Sequence, residues 1–131
     1  MSVALLIKDE TSIGKVTGEQ ILRFPAERIT VRQLIEQRIE TEVEKYNANN
    51  AIAFWGLIQP SDSEQELNGF KIKKRKPVDA QSQKQLAIQA FQSNGFFLLV
   101  NDKQLTELED EILITPNTSV LFIKLVPLVG G

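Results

Sequence analysis

The first apolar run, Val3-Ala4-Leu5-Leu6-Ile7, predicts a strand. The polar stretch Asp9 to Gly18, with Ser12, Gly14 and Gly18, predicts a turn. Gln20-Ile21-Leu22-Arg23-Phe24 predicts a second strand, stopped by Pro25. Two strands around a glycine-containing turn predict an N-terminal hairpin. The pattern then changes period. Val31, Leu34, Ile35, Ile39, Val43 and Tyr46 recur at helical spacing, while Arg32, Glu36, Glu40 and Glu44 fall on the other face. Thr30 and Gln33 have capping-box spacing, and Ile29 and Leu34 are placed for a hydrophobic staple. Asn47-Ala48-Asn49-Asn50 ends this helix.

The region 47–94 is less regular. Ala51 to Ile58 is a short apolar run of strand length, Gln59 to Gly69 a polar loop, and Phe70 to Lys76 alternates before turning basic. Pro77 and Asp79 introduce a second helix from about Ala80 to Ser93, with Leu86, Ala87, Ala90 and Phe91 on one face and Asn94-Gly95 as its stop. Phe96-Phe97-Leu98-Leu99-Val100 predicts a buried strand, Asn101-Asp102 a tight turn and Lys103-Gln104-Leu105 a short return strand. Leu108, Ile112 and Ile114 alternate with acidic residues up to Pro116-Asn117. Val120 to Val126 predicts the last strand, ended by Pro127. Its alternation separates Val120, Phe122 and Lys124 from Leu121, Ile123 and Leu125. Lys124 implies that its own set is the less buried. With no internal repeat or low-complexity linker, one domain over residues 1–131 is expected.

Composition narrows the chemistry. A chain of 131 residues, 42% hydrophobic and 24% charged, is an ordinary globular protein with a real core. A net charge of −2 argues against nucleic acid as the main partner. No apolar stretch reaches membrane-spanning length, and Ser2 to Ile7 is too short for a signal peptide, so a cytoplasmic location is the default. Cysteine and histidine are both absent. That excludes disulfides, a thiolate nucleophile, Cys/His zinc sites and a serine–histidine triad. Any covalent chemistry must take its catalytic groups from other proteins.

Lys71, Lys73, Lys74, Arg75 and Lys76 read as a solvated edge strand kept from aggregating by lysine, ahead of nucleic-acid binding, with use as acceptor lysines as a further role. Glu107, Glu109, Asp110 and Glu111 read as a solvated turn rather than a metal site. Gly14 and Gly18 lack the strand-to-helix context of a phosphate loop. Phe54 and Trp55 read as core. The final Gly130-Gly131 has no Cβ, so such a tail can enter a narrow channel and bring its carboxylate to a reacting phosphate. The alternative is a frayed end.

The order hairpin, helix, strand, short strand, last strand and Gly-Gly is that of a β-grasp, and the chain resembles ubiquitin and ubiquitin-like proteins. The stretch Leu98-Leu99-Val100-Asn101-Asp102-Lys103-Gln104-Leu105 is similar to ubiquitin's strand, turn and return. Ile114 to Leu125, then Gly130-Gly131, is similar to its last loop, strand and tail. Ile21 to Phe24 and Thr30 to Ile35 fit its second strand and helix start. The resemblance covers roughly residues 2–46 and 95–131, and leaves 47–94 as an insertion carrying the second helix. The ending Lys-Leu-Val-Pro-Leu-Val-Gly-Gly resembles prokaryotic ubiquitin-like proteins encoded beside activating-enzyme-like, conjugating-enzyme-like and isopeptidase-like genes. The fold implied is α+β, a ubiquitin-like mixed sheet on one main helix.

The resemblance implies a protein modifier, with a bacterial antiviral-defence operon as one setting. The chain itself would be no enzyme and would hold no cofactor. An activating enzyme would use ATP to adenylate the Gly131 carboxylate, a conjugating enzyme would pass it to amines of target proteins, and an isopeptidase would reverse the bond. Gly130 would supply close approach. Pro127, Leu128 and Val129 stand where ubiquitin is basic, which implies a dedicated activating enzyme with an apolar channel. Leu128 and Val129 would each contribute about 1.5–3 kcal/mol if fully covered. The sheet face is the usual partner surface in that family, which here implicates Leu98, Leu121 and Ile123. Lys71, Lys73, Lys74 and Lys76 are the candidate acceptors in chain formation. Two other readings share the β-grasp. One is a sulfur carrier whose adenylate is converted to a terminal thiocarboxylate. The other is a non-conjugating interaction domain.

Overall fold

The computed structural model describes residues 2–48, 57, 65–67, 70–72 and 78–124, with backbone alone for 65–67 and 70–72. β1 (Val3–Thr11) and β2 (Val16–Phe24) form the N-terminal hairpin. A short β3 (Arg28–Thr30) leads into α1 (Val31–Ala48). β4 (Gln65–Leu67) and β5 (Phe70–Ile72) pair antiparallel, and α2 (Ala80–Gln92) follows. β6 (Phe96–Val100), β7 (Lys103–Leu105), β8 (Glu111–Leu113) and β9 (Val120–Lys124) complete the order. The main sheet runs β2-β1-β9-β6-β7, with β1 and β9 parallel and every other neighbour antiparallel. β3 and β8 form a separate small ladder. This is an α+β fold in a β-grasp-like arrangement, a mixed sheet holding one main helix, with a second helix beside it.

The capping box explains where α1 starts. Gln33 N–H donates to Thr30 Oγ1 at 3.2 Å, and Thr30 N–H donates to Gln33 Oε1 at 2.9 Å. Two further first-turn donors are met from outside the helix. Val31 N–H donates to the Asp110 carbonyl and Arg32 N–H to the Leu108 carbonyl. The predicted stripe Val31, Leu34, Ile35, Ile39, Val43 and Tyr46 is buried throughout. It packs on Leu5 and Ile7 of β1, Leu22 and Phe24 of β2, Leu98 of β6 and Phe122 of β9 in one core. Ile29 is buried with Leu34, as the staple predicts.

The second helix begins where Asp79 caps it, accepting from Ser82 N–H at 2.9 Å and Ser82 Oγ at 2.8 Å. Those bonds hold the Asp79 carboxyl below the usual carboxylate range. Asn94 adopts φ 63°, and Gly95 N–H returns to the Ala90 carbonyl, which ends the helix. Ala87 and Phe91 enter the core, where Phe91, Phe96 and Phe122 stack in sequence with centroids 5.8 Å apart.

Besides the unpredicted β3 and β8, three features differ from the pattern reading. The first hairpin runs on past Ile7 to Thr11, and β2 starts at Val16, so the turn is shorter than Asp9–Gly18. The ladder continues there because Asp9 points inward to a buried partner, while Lys8 pairs outward with Glu19 at 3.7 Å. A register shift after Asp9↔Gly18 leaves Thr17 as a bulge. Secondly, Gln65–Leu67 lies within the expected polar loop and is a strand. Thirdly, Val120 and Phe122 belong to the core, 2% and 0% exposed, so Lys124 mislabelled its face. The apolar run at 51–58, with Phe54 and Trp55, lies outside the described residues except for Leu57, which is buried.

Candidate interaction face and the root of the tail

β9 has two faces with different roles. Its outward residues, Leu121 and Ile123, are half-buried and stand opposite Leu99 and Phe97 of β6. On the other side Leu121 neighbours Lys8 of β1. Leu6 lies diagonally from Leu121, and Leu6 faces Ile21 across β1 and β2. Leu6 is 43% exposed and Ile21 61%, so the outer face carries a contiguous apolar band from β2 to β6. Contiguous exposed apolar surface is a common feature of protein interaction sites. Leu98 is corrected out of it. Its side chain is fully buried, because the parity of β6 turns Phe96 and Leu98 inward and Phe97 and Leu99 outward. Phe97, Leu99, Leu6 and Ile21 were not singled out from sequence. The alternation that places them becomes readable only once one inward residue per strand is known.

The inward face of β9 ends on a buried ionic cluster. Arg38 is fully buried on α1. Its Nη1 and Nη2 donate to Asp9 Oδ1 and Oδ2 at 2.6 and 2.7 Å, and its Nε donates to Glu42 Oε2 at 2.8 Å. The guanidinium also sits 4.5 Å from the centroid of the Phe122 ring. Glu42 Oε1 accepts Leu57 N–H at 2.7 Å, and Gln20 Nε2 donates weakly to Oε2 at 3.4 Å. Burial is the largest single influence on Arg38 and by itself lowers its pKa. The hydrogen bond to Asp9 and the charges of Glu42 and Asp9 outweigh it and raise the net value. Lys124 follows Phe122 on the same face. Burial first, then repulsion from Arg38, holds its ammonium below the usual lysine value, with Asp9 and Glu42 offsetting part of this.

This cluster ties together β1 through Asp9, α1 through Arg38 and Glu42, β9 through Phe122, and the segment after α1 through Leu57. It fixes the strand from which the sequence continues into its last seven residues. Lys124 is itself paired on both sides, to Thr11 of β1 and Phe96 of β6. Pro127, Leu128, Val129, Gly130 and Gly131 lie outside the described residues, as do Lys73, Lys74 and Lys76. Lys71 is in β5, its backbone opposite Glu66.

The carboxylates at 107–111 serve structure. Glu109 pairs with Arg32 and Glu111 with Arg28, each at 3.3 Å, and the Asp110 carboxylate accepts Glu107 N–H. Among the described residues no group of His, Cys, Asp or Glu is arranged to hold a metal. No helix among them is long and apolar enough to cross a membrane. No family model, curated protein or solved structure matches the chain.

Proposed function

We propose that this chain is a ubiquitin-like protein modifier that is conjugated through the carboxylate of Gly131. The observation that carries the reading is the position of β9. It is the central strand of a β-grasp-like sheet, held from below by the Arg38 cluster, and the sequence runs from its end through Leu125-Val126-Pro127-Leu128-Val129 to Gly130-Gly131. A strand paired on both sides and packed on the main helix gives whatever follows it a fixed starting point.

In this reading the Gly131 carboxylate attacks the α-phosphate of ATP in an activating enzyme, releasing pyrophosphate. A cysteine of that enzyme displaces AMP, and a target amine finally displaces the thiol to leave an amide. The absence of cysteine and histidine from the chain fits a protein that is substrate rather than catalyst. The outer band of Leu6, Leu99, Leu121 and Ile123 is the surface on which the conjugating machinery would dock.

The test is a denaturing purification of N-terminally tagged protein from its native cells. A ladder of heavier adducts that vanishes on deletion of Gly130-Gly131 supports the proposal. An unchanged ladder in the deletion, or no adduct when the activating enzyme and ATP are supplied, refutes it.

A further inference from the structure

The two edges of the main sheet are unlike. β7 is three residues long and carries Lys103, which is how edges are commonly blunted. β2 runs from Val16 to Phe24 with no lysine and no proline inside it, and among the described strands none pairs with its outer side. Alternate residues of an edge strand direct their N–H and C=O groups away from the sheet, ready for another strand.

The usable part of this edge is bounded. The bulge at Thr17 ends its regular register at Gly18, and Pro25 follows Phe24. The midpoint of Gly18–Phe24 is Ile21. A two-fold axis at Ile21 lays the strand antiparallel on itself and pairs Gly18 with Phe24, Glu19 with Arg23 and Gln20 with Leu22 of the second copy. Glu19 and Arg23 lie on the outer face with Ile21. The same axis therefore sets Ile21 against Ile21 and flanks it with two opposite-charge pairs. Within its own sheet Arg23 faces Ala4, and among the described residues no carboxylate pairs with it. Glu19 already meets Lys8 at 3.7 Å, and its second oxygen remains suited to an arginine. The register centred by the bulge and Pro25 is thus the register that the charges complement.

We infer that β2 is a homodimerisation edge, on which a second copy pairs antiparallel about Ile21, joining two five-stranded sheets into one. An isologous contact of this kind is closed and does not propagate. The dimer makes the outer apolar bands of both copies continuous through Leu6 and Ile21. A single strand pair lies at the small end of interface sizes, so association is reversible and concentration-dependent. The inference is independent of the tail and its chemistry.

Sedimentation velocity from micromolar to millimolar concentration tests it, with circular dichroism confirming that each variant is folded. Wild type is expected to pass from monomer to dimer. Glu19→Arg and Arg23→Glu should each weaken association on the order of tenfold to a hundredfold, since each turns two attractive pairs into repulsive ones. The double variant Glu19→Arg/Arg23→Glu restores complementarity and should dimerise again. A chain that stays monomeric throughout, single reversals that leave association unchanged, or a double variant that does not recover would each overturn the inference.

Discussion

Replacing Arg38 by methionine removes the cation at the centre of the cluster while keeping much of its aliphatic volume. Three charged hydrogen bonds of 2.6, 2.7 and 2.8 Å are lost. Asp9 and Glu42 remain, 7% and 1% exposed, with no guanidinium between them. Breaking a buried ion pair from one side costs about 3–5 kcal/mol, mostly the desolvation of what is left behind. Lys124 is close enough to be felt by both carboxylates, so the lower part of that range is expected. Against a total stability of roughly 5–15 kcal/mol this is a large fraction. It should lower Tm by about 10–15 °C for a chain of this size. The control is the triple variant Asp9→Val/Arg38→Met/Glu42→Gln. It removes both counter-charges and retains an acceptor for Leu57 N–H. Its stability should return to within about 2 kcal/mol of wild type, because well-packed replacements of buried ion groups are often neutral. Urea unfolding followed by circular dichroism measures both. An Arg38→Met loss below about 1 kcal/mol, or a triple variant no more stable than the single one, would refute the reasoning.

Three further outcomes are expected. Leu121→Glu/Ile123→Glu should stay folded yet lose co-purifying partner enzymes, whereas Leu98→Ala, in the core, should cost about 2–5 kcal/mol in urea unfolding. Thr30→Ala removes the hydroxyl that caps α1 and should cost about 1 kcal/mol by the same assay. The lowered Lys124 pKa has a defined sign. Between its folded value and the usual 10.5 the unfolded chain binds more protons, so folding gains stability as pH rises through that window. The stability of wild type relative to Lys124→Met should therefore increase toward pH 10.5; a constant or falling difference contradicts the assignment.

The main helix was legible because its signals agree. Capping residues, staple and a six-position apolar stripe all point to one start and one face. The hairpin, the second helix and the order of strands were readable for the same reason. The cluster was not singled out, although its signal is present. Arg38 and Glu42 interrupt the buried stripe at helical spacing between Ile35 and Val43, and Asp9 continues the inward alternation of Leu5 and Ile7. A charge on an apolar face reads as a break in the pattern unless its partners are known, and the bidentate partner of Arg38, Asp9, lies 29 residues away. The same omission shortened the first hairpin and inverted the faces of β9, where Lys124 reaches the rim of the cluster. β3 and β8 escaped notice because three-residue strands hold together through a distant ladder, Arg28↔Leu113 to Thr30↔Glu111.

The proposed modifier function is tested most directly by mass spectrometry of conjugates purified under denaturing conditions and digested with trypsin. Cleavage after Lys124 leaves Leu125 to Gly131 attached to any modified lysine. The account predicts target peptides bearing that branch, absent when Gly130-Gly131 is deleted. A terminal peptide recovered with sulfur in place of oxygen, and no branched peptides, contradicts it and assigns a sulfur carrier. An unmodified terminus recovered in the presence of the activating and conjugating enzymes contradicts both.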